Sequence, residues 1–274
     1  MIPNLSIFFM AVTALVSIGL PIFMFFFWRK KYNLKAMPML LGIAVFVVFA
    51  LFLQGFVHSA VLSPGEDGMV ALVERNPWAF VIYVILAAGI FEETGRFAAF
   101  HILKKNHHDI GTGLSYGIGH GGIEAFLLVG MTMISNIAVC LMINSGNTAG
   151  FGEELDITAL VSVLQDTPSA VFLVGGFERV VAIAAHISLS IVVLCSVLKK
   201  DKLWLYPVAI VLHAVLNLAP AMLQAGFIES IWLVEGLILI PAALCAFAAI
   251  KACKFLAKEE PVVQNVNEPM GPTL

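Results

Sequence analysis

Charge is scarce in this chain. Asp, Glu, Lys and Arg make up only 12% of its 274 residues, against 60% apolar residues, and the mean hydropathy is +0.97. A water-soluble domain of this length needs far more charge, so the bilayer is the expected solvent. The net charge of −3 and the lack of a basic patch interleaved with aromatics exclude nucleic acid as a partner. Cysteine is equally sparse: the four residues Cys140, Cys195, Cys245 and Cys253 sit inside apolar stretches without metal-type spacing, which excludes a disulfide framework and a thiolate site. No alternating segments of a membrane barrel appear, and no internal repeat. The first residues, Met1-Ile-Pro-Asn-Leu-Ser, lack the basic region of a cleavable signal, and the apolar run after them is long enough to remain as a helix.

What is present is a series of apolar runs, each near the ~20 residues that cross a ~30 Å hydrocarbon core. They predict an all-α polytopic bundle with spans at 5–28, 37–57, 78–101, 112–143, 169–198, 203–223 and 230–256, and a short interfacial helix at 157–166. Residues 1–258 read as a single transmembrane domain with its working core at about 78–223, and 259–274, rich in Pro, Asn and Val, as a disordered tail. Twelve of the 15 Lys and Arg residues follow spans one, three, five and seven or close them, whereas the other side carries acidic residues and Arg75. The positive-inside rule then puts the N-terminus outside and the C-terminus in the cytoplasm, in a membrane of the bacterial cytoplasmic type.

Ionisable residues inside apolar spans need a reason, because each costs about 2.5–3.5 kcal/mol on insertion scales. Span three carries Glu92, Glu93 and Arg96; span four His120 and Glu124; span five Glu178, Arg179 and His186; span six His213 and Asn217. Spans one, two and seven carry almost nothing comparable and read as support. At 1.5 Å per residue, Glu92 and His186 lie roughly 20 and 25 Å below the outer ends of their helices, and His120 and His213 about 12–15 Å above the inner ends of theirs. All four therefore fall in one layer in the cytoplasmic half. Glu92 and Arg96, His120 and Glu124, and His213 and Asn217 are spaced i, i+4 and share helix faces, as do Arg179 and His186 two turns apart. Glycines around His120 permit close helix approach.

A carboxylate beside a histidine where water is restricted can activate a water molecule for attack on a carbonyl. Arg96 can keep one of Glu92 and Glu93 ionised while the other takes a different role, and His213 with Asn217 can donate to the oxyanion that forms. No Gly-x-Ser-x-Gly and no aspartate inside a span offers a serine or aspartyl alternative. His120, Glu124, His186 and His213 could instead hold zinc, although the His-Glu-x-x-His arrangement is absent. A structural ion pair, a proton-coupled relay and a non-catalytic scaffold are the other readings of the same residues, with Glu178 as a packing partner and His58 as an ordinary interfacial histidine.

Glu-Glu-x-x-Arg at 92–96, Gly-His-Gly-Gly-Ile-Glu at 119–124, Phe-Glu-Arg at 177–179 with His186, and His-x-x-x-Asn at 213–217 together resemble the YhfC family, within the wider group of CAAX-prenyl protease-type and PrsW intramembrane proteases and the γ-secretase scaffold subunit. The resemblance covers spans three to six. It implies a glutamate-dependent intramembrane peptidase acting on a membrane protein or lipidated peptide without an obligatory cofactor. Glu92 or Glu93 would activate water with a histidine of span four or five, and His213 and Asn217 would form the oxyanion site.

Overall fold

The computed structural model describes residues 1–65, 70–146 and 157–257. Seven helical stretches are long and apolar enough to cross a membrane: span one (Asn4–Arg29), span two (Ala36–Val61), span three (Pro77–Leu103), span four (Ile110–Asn144), span five (Ser169–Leu198), span six (Lys200–Gln224) and span seven (Ile231–Ala257). Each expected span is present, with ends moved by up to four residues, and Ile157–Asp166 forms the expected short helix. The expected tail at 259–274 lies outside the described residues. No strand occurs among the described residues beyond an isolated bridge between Pro64 and Val70.

Span five is more buried than any other. Its apolar face, including Ile183, Leu189, Val192 and Leu194, forms the main core with Tyr116 and Ile118 of span four, Phe100 of span three and Cys245 of span seven. The other spans turn large apolar side chains outward, such as Phe26, Phe56, Ile82 and Phe247. In lipid those faces cost nothing, because the surrounding tails are as apolar as the side chains. Association must then come from packing and from interhelical hydrogen bonds. Spans one and five are joined in this way: Thr13 Oγ1 donates to the Phe172 carbonyl at 2.6 Å, and the Ser6 and Ser169 hydroxyls are 2.8 Å apart.

Span four is held close by absent side chains. A Cβ on Gly119 would lie 2.1 Å from the Met39 carbonyl oxygen of span two, and one on Gly117 would lie 2.5 Å from Ile187 Cα of span five. Only glycine allows these backbone approaches, and they draw span four between spans two and five, with His120 reaching Glu92 of span three and Glu124 reaching span five. Asp109 starts the span as its N-cap, accepting from the Thr112 amide at 2.9 Å and the Thr112 hydroxyl at 2.7 Å.

Three spans depart locally from regular α-helix within the membrane. Residues Phe46–Gln54 of span two and Ala125–Gly130 of span four are π-helical, a widening often found next to functional sites. In span six the helix loosens at Asn217, between Leu205–Leu216 and Leu218–Gln224, although the Asn217 amide and carbonyl keep their i, i+4 partners His213 and Ala221. Pro220 explains the weakness there, since it has no amide to offer the Leu216 carbonyl. At one end of the bundle, Lys31, Lys104 and Lys199 and the last residues of span seven line a single depression, so the basic connections expected to share a side do so.

Candidate active site

Four spans converge on one buried polar cluster. Glu93 and Arg96 are completely buried and paired one helical turn apart, i to i+3. The i, i+4 pairing of Glu92 with Arg96 suggested by spacing is therefore not the contact that forms. A guanidinium nitrogen reaches a neighbour only where the rotamer allows, and Arg96 turns toward the deeper carboxylate. Its other terminal nitrogen donates to His186 Nδ1 at 3.0 Å. His213 Nδ1 donates to the same Glu93 oxygen at 2.7 Å. Glu93 is thus occupied by two donors and set back from the cavity.

Glu92 faces the other way. It lines a chamber of about 70 Å³ together with Glu124, Glu178, Arg179, His186, His213 and Asn217. His120 Nε2 donates to Glu92 Oε2 at 2.9 Å, and His213 Nε2 lies 3.8 Å from Glu92 Oε1. Glu124 receives Arg179 Nη1 at 2.9 Å on one oxygen. Its other oxygen, Oε2, stands 2.6 Å from His186 Nε2 but makes no hydrogen bond of acceptable geometry. Arg179 also pairs with its neighbour Glu178. The shared face of Arg179 and His186 is used as the spacing suggested, with both side chains meeting Glu124.

Among the described residues, Glu92, His120, Glu124 and His186 offer donor atoms that all lie within 4.8 Å of one another. This set differs from the four residues considered for zinc on sequence grounds: Glu92 stands in it and His213 does not, although His213 Nε2 also faces the chamber. His120 Nδ1 is buried without a hydrogen-bond partner. His120, His186 and His213 form a row of rings with centroids 4.9 and 5.4 Å apart.

Glu235, Gln54 and Tyr83 were not among the expected polar residues. Span seven is not free of charge, because Glu235 is buried there with Oε2 lacking a partner, within electrostatic reach of Glu178 and Arg179. Span two is not free of polar contacts either. His58, near the end of span two, makes two side-chain contacts: its Nε2 is 2.9 Å from Gln54 Nε2, and its Nδ1 is 2.8 Å from the Tyr83 hydroxyl of span three. The i, i+4 spacing of Gln54 and His58 was the available signal, as was the position of Glu235 inside an apolar run.

Seven apolar helices around a buried carboxylate–imidazole centre define a polytopic integral membrane protein with a polar site inside the bilayer. The chain belongs to the YhfC intramembrane metalloprotease family, whose description it matches over residues 16–238. It is 35% identical over 256 residues to the uncharacterized membrane protein YhfC of Bacillus subtilis (strain 168), covering 92% of this chain and 98% of that protein. No solved structure matches.

Proposed function

We propose that this protein is an intramembrane metallopeptidase that hydrolyses a peptide bond of a membrane-associated polypeptide in the chamber formed by spans three to six. The observation that carries the reading is the convergence of Glu92, His120, Glu124 and His186 within 4.8 Å in a buried site. Two imidazoles and two carboxylates are a donor set suited to zinc and related divalent ions. The partnerless Glu124 Oε2 facing His186 Nε2, and the orphaned His120 Nδ1, are lone pairs that such an ion would satisfy. His120, Glu124 and His186 would hold it, leaving Glu92 free, since catalytic sites commonly keep three protein ligands and an open position. The ion would supply a Lewis acid and ionise bound water near neutral pH.

The chain's own groups do the rest. Glu92 accepts the proton of the attacking water, being the carboxylate that lines the chamber. Glu93, held by Arg96, takes the Nδ1–H of His213 and so fixes which His213 nitrogen faces the chamber. With Nδ1 committed, His213 can donate to an oxyanion only through Nε2, as imidazolium, with the Asn217 amide as second donor. Arg179 balances Glu124 and Glu178. By the positive-inside rule the basic end lies in the cytoplasm.

One contact supports a metal-free reading. Arginine only donates, so the 3.0 Å contact of Arg96 with His186 Nδ1 requires that nitrogen to be bare and puts the ring proton on Nε2, where a metal would need a lone pair. In that case Glu92 and His120 activate water by themselves. Elemental analysis of the purified protein, with cleavage of reconstituted single-span peptides, decides between the two. About one divalent ion per chain, with cleavage lost on its removal and regained on its return, supports the metal reading. Full activity of ion-free protein supports the second. Undiminished cleavage by Glu92→Gln ends both.

A further inference from the structure

The chamber of about 70 Å³ has room for a few waters but not for a peptide. A polypeptide must therefore lie in an adjoining space and present its carbonyl through a shared wall. Asn217 and Pro220 line the chamber and also a second cavity of about 340 Å³ between spans two, three and six. That volume lies in the range of small-ligand pockets, roughly 300–1,000 Å³. The shared wall is the loosened turn of span six, where Pro220 leaves the Leu216 carbonyl without an amide.

The second cavity differs chemically from the first. Among the described residues its polar side chains, Gln54, His58, Asn217 and Gln224, include no carboxylate, lysine or arginine, and Leu62 and Phe80 complete it with apolar surface. Gln54 Oε1 is buried without a hydrogen-bond partner, at the end of the π-helical stretch. Amide and imidazole groups of this kind match the neutral N–H and C=O groups of a peptide backbone and select no particular charge. Inside a bilayer, unwound backbone is tolerated only where protein or water satisfies its polar groups. The comparable groove of about 350 Å³ beside spans one, two and four, lined by residues such as Ile18, Phe25 and Phe126, is almost wholly apolar and offers no such partners.

We infer that the Gln54–His58–Gln224 cavity is a substrate subsite that holds a locally unwound segment of a membrane-spanning polypeptide beside the chamber. The inference rests on the proposed peptidase reading. Gln54 Oε1 accepts a substrate amide N–H, and Asn217 marks the crossing to the Glu92 centre. The cavity extends along spans two and six away from the basic end, so the substrate approaches from the opposite side of the membrane.

The test uses full-length protein in liposomes, with p-benzoylphenylalanine replacing Leu62 at the cavity rim and Glu92→Gln as the non-cleaving form. The probes are two synthetic single-span peptides of leucine and alanine, one continuous and one interrupted by a central Gly-Ser-Pro-Gly. The interrupted peptide is expected to cross-link at least fivefold more than the continuous one. Gln54→Leu, which removes the orphaned acceptor with only a small change in side-chain size, should reduce that preference several-fold, and Ala221→Trp should abolish it by filling the cavity. The same photoprobe at lipid-facing Phe247 should label both peptides equally. Equal labelling from position 62, or a preference unaffected by Gln54→Leu, overturns the inference. If wild-type protein nevertheless cleaves the interrupted peptide, the peptidase reading stands while the subsite fails. Preferential labelling without cleavage by the wild type keeps the subsite and removes the peptidase reading.

Discussion

His213 donates its Nδ1–H to Glu93 Oε1 across 120 residues of sequence, and Arg96 donates to the same oxygen. This three-way contact gives two adjacent glutamates different surroundings. Glu93→Gln leaves the fully buried Arg96 guanidinium without its counter-charge, and losing one partner of a buried pair typically costs about 3–5 kcal/mol. Glu92→Gln removes a chamber carboxylate whose contacts are with imidazoles, and should be milder on folding. The expected outcome is a large fall in thermal stability in detergent for Glu93→Gln. Glu92→Gln should instead lose cleavage by about 10²–10⁴-fold, the usual weight of a general base, at little cost in stability. Equal loss of stability in both variants would contradict the separation.

Close backbone approach sets the position of His120. Gly119→Ala must push the new Cβ into the Met39 carbonyl of span two, where backbone cannot give way cheaply. Overpacking of this kind costs about 1–3 kcal/mol or more, and here it also displaces the residue next to it from Glu92. Gly55→Ala is the matched control, because nothing lies within 4 Å of its Cβ position. It should be neutral or stabilise by roughly 0.5–1 kcal/mol through helix propensity. Unfolding midpoints of the two variants compared with wild type check the contrast.

Asp109 couples the start of span four to the basic end. Burial opposes its ionisation, but hydrogen bonds from the Thr112 hydroxyl and amide, with Lys35 nearby, outweigh that and hold its carboxyl below the usual carboxylate range. Because the folded value lies below the unfolded one of about 3.9, its contribution is complete above that pH and is lost as pH falls through the folded value. Asp109→Asn keeps a capping oxygen but not the charge, so its stability should change less than wild type between about pH 5 and pH 2. Solvent screens a side chain 41% exposed, so the difference should be small. Asp109→Ala removes the cap altogether and should cost about 0.5–2 kcal/mol at neutral pH.

The spans and the polar centre were legible because a charged residue in an apolar run stands out: Glu92, Glu93, His120, Glu124, His186 and His213 are visible as soon as the spans are drawn. Contacts across helices were less so. Helical spacing ranks Glu92 and Glu93 equally as partners of Arg96, and only the rotation of span three toward spans five and six turns Glu93 inward and Glu92 to the chamber. The same rotation gives Glu92, rather than His213, to the group with His120, Glu124 and His186. The loosened turn at Asn217 and the π-helical stretches depend on how span six and its neighbours pack, which periodicity does not report. Glu235 was hidden by its place one turn into span seven, where a carboxylate resembles the end of a helix.

Glu235 provides a last test, of how Arg179 is neutralised. Arg179 already binds Glu124 and Glu178, so a third carboxyl group nearby goes without a partner unless it shares the guanidinium. The Glu235 residue is 7% exposed and its Oε2 has no partner. A buried polar group left unsatisfied costs about 1–3 kcal/mol, so Glu235→Leu should stabilise the protein by about that amount. Arg179→Leu should do the opposite, leaving Glu124 and Glu178 uncompensated at a cost of about 3–5 kcal/mol. Thermal unfolding of the two single variants and the double variant measures the coupling. A stability loss in Glu235→Leu that vanishes in the Arg179→Leu background would show instead that Arg179 depends on all three carboxylates.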